Sequence, residues 1–222
     1  MFNNFIKDFQ LNNNSVISNN FYGITRVTMK CDTCGTTKYS FQTFYLLIFQ
    51  LKKVKEEIKK QLGYYKQLNL YDAFEVDQIE ESLNGENMIY CNYCKGVRNG
   101  KNQQKIFGLP NVMIIILNRG KNNQDFNDYF EIPDKLDFTN KNLIINPQSY
   151  QRFYLCGVIT HLGESGSGGH FIAYCRNGPD SGFTCYNDSI VSEVTVKDAL
   201  TTIISNNEWE KKTPYILLYH KM

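Results

Sequence analysis

Apolar and polar positions follow two different rhythms along this chain, and the change falls near its middle. In the first half, FYGITRVTMK (21–30) and KYSFQTFYLLIF (38–49) are β-prone runs on either side of Cys31 and Cys34. They predict a hairpin with a C-x-x-C turn at its tip. The period then becomes helical. KKVKEEIKKQL (52–62) places Val54, Ile58 and Leu62 at i, i+4 and i+8, with charges elsewhere and Gly63 as a stop, which predicts a short, solvated connecting helix. Leu70, Phe74, Ile79 and Leu83 predict a second helix over 70–83, ended by Asn84-Gly85. Residues 1–20, rich in Asn and poor in periodic apolar positions, read as a loose lead-in.

The second half is a series of short apolar, β-branched or aromatic runs: 112–118, 153–160, 170–176, 183–188 and 215–220. Pro- or Gly-containing stretches separate several of them, so each predicts a strand. One amphipathic helix is predicted over 196–204, with Thr195 as N-cap and Val196, Leu200, Ile203 and Ile204 facing inward. Many strands and few helices predict an α+β fold with a mainly antiparallel sheet.

Composition narrows the class of protein. The 222 residues correspond to roughly one large domain or two small ones at ~150 residues each. A chain of this length buries about 70% of its unfolded surface and needs no disulfide framework. Hydrophobic residues at 42% and charged residues at 21% are globular values. A net charge of +2 is too small to predict a nucleic-acid binder, because such binding rests on neutralising many phosphates. The longest apolar run, Val112 to Leu117, falls far short of the ~18 residues that span a bilayer. Asp8 and several Asn interrupt the stretch that a signal peptide keeps apolar. The expectation is a soluble protein of the cytoplasm, the nucleus or both, not secreted and without a membrane partner, in which the Asn187–Ser189 sequon carries no glycan.

Four of the seven cysteines form two C-x-x-C pairs, Cys31/Cys34 and Cys91/Cys94, with 56 residues between the pairs. In a reducing compartment such pairs are metal ligands or redox sites before they are structural disulfides. Four thiolates satisfy Zn²⁺ tetrahedrally and close the site to substrate, which makes the ion structural. Two unrelated reduced pairs are the alternative. A redox role is weaker, since neither pair lies at a strand-to-helix turn.

Three histidines are present, His161, His170 and His220. His220 lies in an apolar strand near the C-terminus and reads as a packed residue. His161 follows a strand, and after GESGSGG (163–169) His170 opens the next one. Glycines there permit positive φ and a close backbone approach to a ligand. No phosphate-binding glycine pattern or G-x-S-x-G serine elbow passes through the segment. Asn187-Asp188 ends a strand of the same predicted sheet. A carboxamide or carboxylate beside an imidazole is what a thiol protease needs to fix the tautomer of its base. An Asx turn closing the strand is the plainer alternative.

Together these blocks resemble the ubiquitin-specific proteases, a family of deubiquitinating cysteine peptidases, in order from about Phe21 to Tyr219. FYGITRVTMKCDTCG and ESLNGENMIYCNYC resemble the two halves of the family's zinc fingers, and KIFGLPNVMIIILNRG its Leu-Pro-led core strand, with Gly120 where an aromatic residue is usual. YFEIPDKLDF is similar to the next block. YLCGVITHLGESGSGGHFIAYCRN is similar to the histidine box, with Phe171 where Tyr is commoner; FTCYNDSIVSEV follows, with Phe183 in place of Trp, and PYILLYHK closes the domain.

The resemblance implies a papain-like palm bearing a zinc-binding fingers subdomain, with fingers over 21–108 (helical insert included) and palm over 109–222. It implies His170 as general base and acid, Asn187 as the residue that orients it and Asp188 as a polar helper. Cys31, Cys34, Cys91 and Cys94 would hold structural Zn²⁺. Gly166, Ser167, Gly168 and Gly169 would close over the C-terminal tail of the partner, ubiquitin or a ubiquitinated protein. The family's nucleophile lies in a Gly-Asn-Thr-Cys-Tyr type box on the first helix of the thumb, and no such box occurs in these 222 residues. Cys156, Cys175 and Cys185 lie in predicted strands, where no helix dipole lowers a thiol pKa. The thumb is therefore expected to be largely absent and the chain alone inactive, hydrolysing ubiquitin linkages only with a separate Cys-bearing segment. A non-catalytic, zinc-stabilised ubiquitin-binding or scaffold module is the alternative.

Overall fold

A computed structural model gives the fold of residues 14–120, 128–139, 143–146, 151–165, 168–202 and 211–222. It is mostly β-sheet with few helices. The first predicted hairpin forms: β1 (Gly23–Cys31) and β2 (Thr37–Phe44) pair antiparallel from Gly23↔Phe44 to Lys30↔Thr37. The lead-in differs from expectation, since Val16–Phe21 is a helix, α1. The Ser15 hydroxyl accepts from the Ser18 N–H while the Ser18 side chain meets the Ser15 N–H, a reciprocal cap that a search for Glu or Gln at the third position misses.

The chain then leaves the hairpin as β3 (Leu47–Gln50) and enters α2 (Leu51–Leu62). Gly63 at φ 80 stops α2 as predicted. This helix is more than a connection, because Leu51, Val54 and Ile58 are all buried in the main core. After β4 (Leu68–Asn69), α3 runs only from Leu70 to Asp77. It stops short of the predicted end because Gln78 turns inward: its amide donates to the Phe74 carbonyl and its Oε1 accepts from the Ile106 N–H. Leu83 instead belongs to a strand, β5 (Glu81–Leu83).

The second C-x-x-C follows on the hairpin of β6 (Ile89–Cys91) and β7 (Gly96–Arg98), and β8 (Gly100–Gly108) returns alongside β1. A four-stranded sheet results, in the order β2-β1-β8-β5. The remaining strands are β9 (Val112–Asn118), β10 (Phe130–Glu131), β11 (Lys135–Asp137), β12 (Arg152–Ser165), β13 (Gly168–Cys175), β14 (Phe183–Asn187), β15 (Ile190–Val194) and, after the five-residue α4 (Val196–Leu200), β16 (Lys212–Lys221). Thr195 caps α4 as predicted; Ile203 and Ile204 lie outside the described residues. The large sheet is eight-stranded, in the order β15-β14-β13-β12-β16-β9-β3, with β11 also on β12. It is antiparallel except where β3 joins β9.

That parallel pair ties β3 to the large sheet. Leu47 and Phe49 are too apolar to leave the core, so β3, α2 and α3 belong with the large sheet rather than with the cysteine hairpins. Register makes the two faces of this sheet unlike one another. One row across the strands runs Leu47, Ile115, Leu217, Val158, Tyr174, and all five are buried. The adjacent row runs Ile48, Ile116, Ile216, Ile159, Ala173, Tyr186, Val191, and none is fully buried. Burying one such aliphatic side chain contributes ~1.5–3 kcal/mol, so the first face holds the domain together.

Candidate active site and metal centre

β13 and β14 pair from Cys175↔Thr184 to Ala173↔Tyr186. Just beyond this ladder the two strand ends bring His170 and Asn187 together, with Nε2 of the imidazole 2.7 Å from Oδ1 of the carboxamide. A carboxamide oxygen only accepts, so Nε2 carries the proton and the ring's lone pair is on Nδ1. Nδ1 forms no hydrogen bond with a described residue. The imidazole is partly exposed, as a group that must meet a substrate requires.

Asp188 stands at the edge of this pair, its Oδ2 3.7 Å from the same Nε2 and its side chain largely in solvent. Its backbone has φ 51 in the two-residue loop between Asn187 and Ile190, a conformation that Asp tolerates better than most residues. The Asn187 side chain meets the histidine instead of closing an Asx turn. Gly168 is open to solvent, whereas Gly169 has φ 135 and packs against the backbone of Leu162 and the ring of His161. Gly166 and Ser167 lie outside the described residues.

The other two histidines differ from their sequence reading. His220 is exposed, its ring 5.6 Å from that of Tyr154, because it is the penultimate residue of β16, alternating with the buried Tyr219. His161 does not follow a strand but lies inside β12 and is only 2% exposed. Sequence reasoning gave it no role. The signal was available in the glycines at 163 and 169, which leave room for a ring between them. Arg119 is also buried, donating from Nε to the Pro214 carbonyl and from Nη1 to that of Asp128, and burial lowers its pKa to about 10.

Cys31, Cys34, Cys91 and Cys94 converge, all four sulfurs lying within 4.8 Å of one another. The two turns match: a left-handed residue follows the second cysteine of each pair, Gly35 at φ 71 and Lys95 at φ 53. Sγ of Cys31 is 4.0 Å from that of Cys94, and Sγ of Cys34 is 3.6 Å from that of Cys91. Hydrogen bonds from Thr36 bring the Cys34 thiol down to about 6, while Cys94, facing that sulfur, is pushed up to about 12. The four-sulfur cluster can hold a metal ion. The other three cysteines stand in strands, and the packing around Cys156 and Cys175 raises their thiols.

Comparison with known proteins agrees with this arrangement. The chain is 25% identical to Ubiquitin carboxyl-terminal hydrolase 9 of Saccharomyces cerevisiae over 93% of its length and 26% of that protein's. It is 28% identical to Ubiquitin carboxyl-terminal hydrolase 5 of the same yeast, covering 96% of the chain and 26% of the relative. Ubiquitin carboxyl-terminal hydrolase Usp2 of Drosophila melanogaster is 25% identical over 94% of the chain and 20% of its own length. The chain thus spans about a quarter of the curated relatives it matches. The family model described as ubiquitin carboxyl-terminal hydrolase matches residues 2–219, so this chain belongs to the ubiquitin carboxyl-terminal hydrolases, the ubiquitin-specific proteases that its histidine and cysteine motifs resemble.

Proposed function

We propose that this chain is the fingers-and-palm portion of a papain-like cysteine deubiquitinase, with His170 as general base and acid, Asn187 orienting it and Asp188 as its polar neighbour. The observation that carries the reading is the 2.7 Å contact between His170 and Asn187, which leaves Nδ1 as the basic atom. In the reaction Nδ1 takes the proton of a thiol, and the thiolate attacks the carbonyl carbon at the ubiquitin C-terminus. The imidazolium returns the proton to the departing amine, leaving a thioester. Water, losing a proton to Nδ1, then attacks that carbonyl and releases the thiolate.

The thiol belongs to another stretch of polypeptide. Four of the chain's cysteines form the metal cluster, and Cys156, Cys175 and Cys185 stand in strands with no hydrogen bond to His170. Gly168 and Gly169, with Gly166 and Ser167, would line the channel for the ubiquitin tail. A purely binding or scaffold module has no use for an oriented imidazole.

The metal is Zn²⁺ on this reading. Zn–S bonds of about 2.3 Å imply tetrahedral edges of about 3.8 Å, and the observed 3.6 and 4.0 Å bracket that value. The ion contributes folding free energy on the order of 10 kcal/mol and leaves no coordination position for substrate. The two cysteine hairpins are the fingers that grip ubiquitin, and the reducing cytoplasm or nucleus keeps their thiols available.

A ubiquitin with an electrophilic C-terminus tests the reading. The chain joined to a Cys-bearing segment is expected to be labelled on that cysteine, and His170→Ala is expected to slow turnover about 10²- to 10⁴-fold. Labelling of the chain alone at Cys185, or unchanged turnover in His170→Ala, would overturn it.

A further inference from the structure

The imidazole of His161 has no part in the chemistry above, yet it is 2% exposed in the middle of the histidine-bearing strands. It faces Thr213 of β16 on one side and Phe171 of β13 on the other. The Phe171 ring meets it edge-on at 4.9 Å and is itself 6.0 Å from Tyr215. Its remaining edge lies against glycine backbone. A Cβ added at Gly169 would stand 2.5 Å from His161 Cε1, and one at Gly163 would stand 3.2 Å from the same atom. The two glycines have φ 135 and φ 130, so the backbone bends around the ring at both points. A ring N–H donates to the backbone carbonyl of Gly168.

We propose that His161 is a positioning residue: it clamps Gly168 and Gly169, the two residues directly before His170, and so fixes where the His170 imidazole meets Asn187. The use of that placement in catalysis rests on the peptidase reading, but the clamp does not. Leu162, paired with His170 across the ladder, is the clamp's covalent neighbour, so the ring braces both strands at the level of the histidine. A pair of glycines has more backbone freedom than any other dipeptide. Without a fixed floor, His170 would sample positions from which Asn187 is out of reach. Phenylalanine fills the same space but cannot donate to Gly168. Glutamine can, because its amide nitrogen reaches about as far as the ring edge that faces the glycines. Burial keeps the imidazole neutral by lowering its pKa, consistent with a single N–H committed to one carbonyl.

Nuclear magnetic resonance of the full chain reads the clamp without any turnover. Long-range ¹H–¹⁵N spectra give the His170 tautomer, and hydrogen exchange reports the Gly169 amide. In His161→Phe the His170 proton is expected to spread over both ring nitrogens and the Gly169 amide to exchange about tenfold faster or more. His161→Gln is expected to restore both. Should His161→Phe fail to fold, His161→Leu, smaller and equally unable to donate a hydrogen bond, provides the same reading. A folded His161→Phe or His161→Leu with an unchanged His170 tautomer and Gly169 exchange overturns the clamp, as does a Gln variant no better than Phe. If the tautomer responds as expected while the thiol-complemented protein fails to react with the ubiquitin probe, the clamp stands and the peptidase reading falls.

Discussion

The two larger sheets of this molecule are built from similar numbers of residues per strand but are held by different forces. The large sheet buries a continuous row of aliphatic and aromatic side chains against α2 and α3. The four-stranded sheet buries much less: Val27 and Ile106 are its enclosed aliphatic residues, with Thr25, Cys31 and the nearby Cys91. Lys, Arg, Gln, Asn, Ser, Thr and Glu occupy most of its other positions. A sheet with so little apolar area to remove from water needs a second source of stability, and the four sulfurs at its far end are placed to provide it. The two sheets therefore differ in kind: one holds its strand ends on an apolar core, and the other is an arm that a metal at its tip would brace.

Withdrawing metal should break the comparison most strongly. A chelator is expected to remove on the order of 10 kcal/mol from the arm, so amides of β1, β2 and β8 lose exchange protection while those of β12 and β16 keep theirs. Equal loss in both sheets would show that the arm is not a separate stability unit. Leu217→Ala, on the buried row, should cost about 2–5 kcal/mol in urea denaturation by leaving a cavity. Ile116→Ser, one row away on the open face, should cost under about 1 kcal/mol in the same measurement. A cost as large as that of Leu217→Ala would mean that this face is already covered.

The smallest expected effect concerns His161. Burial holds its folded pKa below the ordinary 6.5, so the unfolded chain binds the proton more readily. Stability from this group is complete above about pH 6.5, falls as the pH drops below that value, and stops falling once the folded-state pKa is passed. Urea midpoints at pH 7.5 and pH 5 should therefore differ less in His161→Gln than in the parent chain.

Much of this was legible residue by residue. The run Val112–Asn118 announced a buried strand, Gly63 the end of α2, Thr195 the start of α4, and Cys31 and Cys34 a turn at the tip of a hairpin. Each depends on neighbours within a few positions. The failures share the opposite property. Ile79 and Leu83 kept a helical period, but the Gln78 side chain found partners on α3 and β8 and ended the helix early. Leu47 to Gln50 looked like an extension of the hairpin, but β9, more than sixty residues later in the chain, claimed it in parallel.

The candidate site divides along the same line. Residue types and order were enough to single out His170, Asn187 and four cysteines, because imidazoles, carboxamides and thiols are scarce and their chemistry is specific. Which ring nitrogen keeps the proton, whether sulfurs separated by 56 residues meet, and what lies beneath the glycines depend on contacts between strands far apart in sequence. Those contacts are set by register, and a shift of one residue would exchange the two faces of the sheet. Local pattern can name the groups; only the packed sheets decide which of them touch.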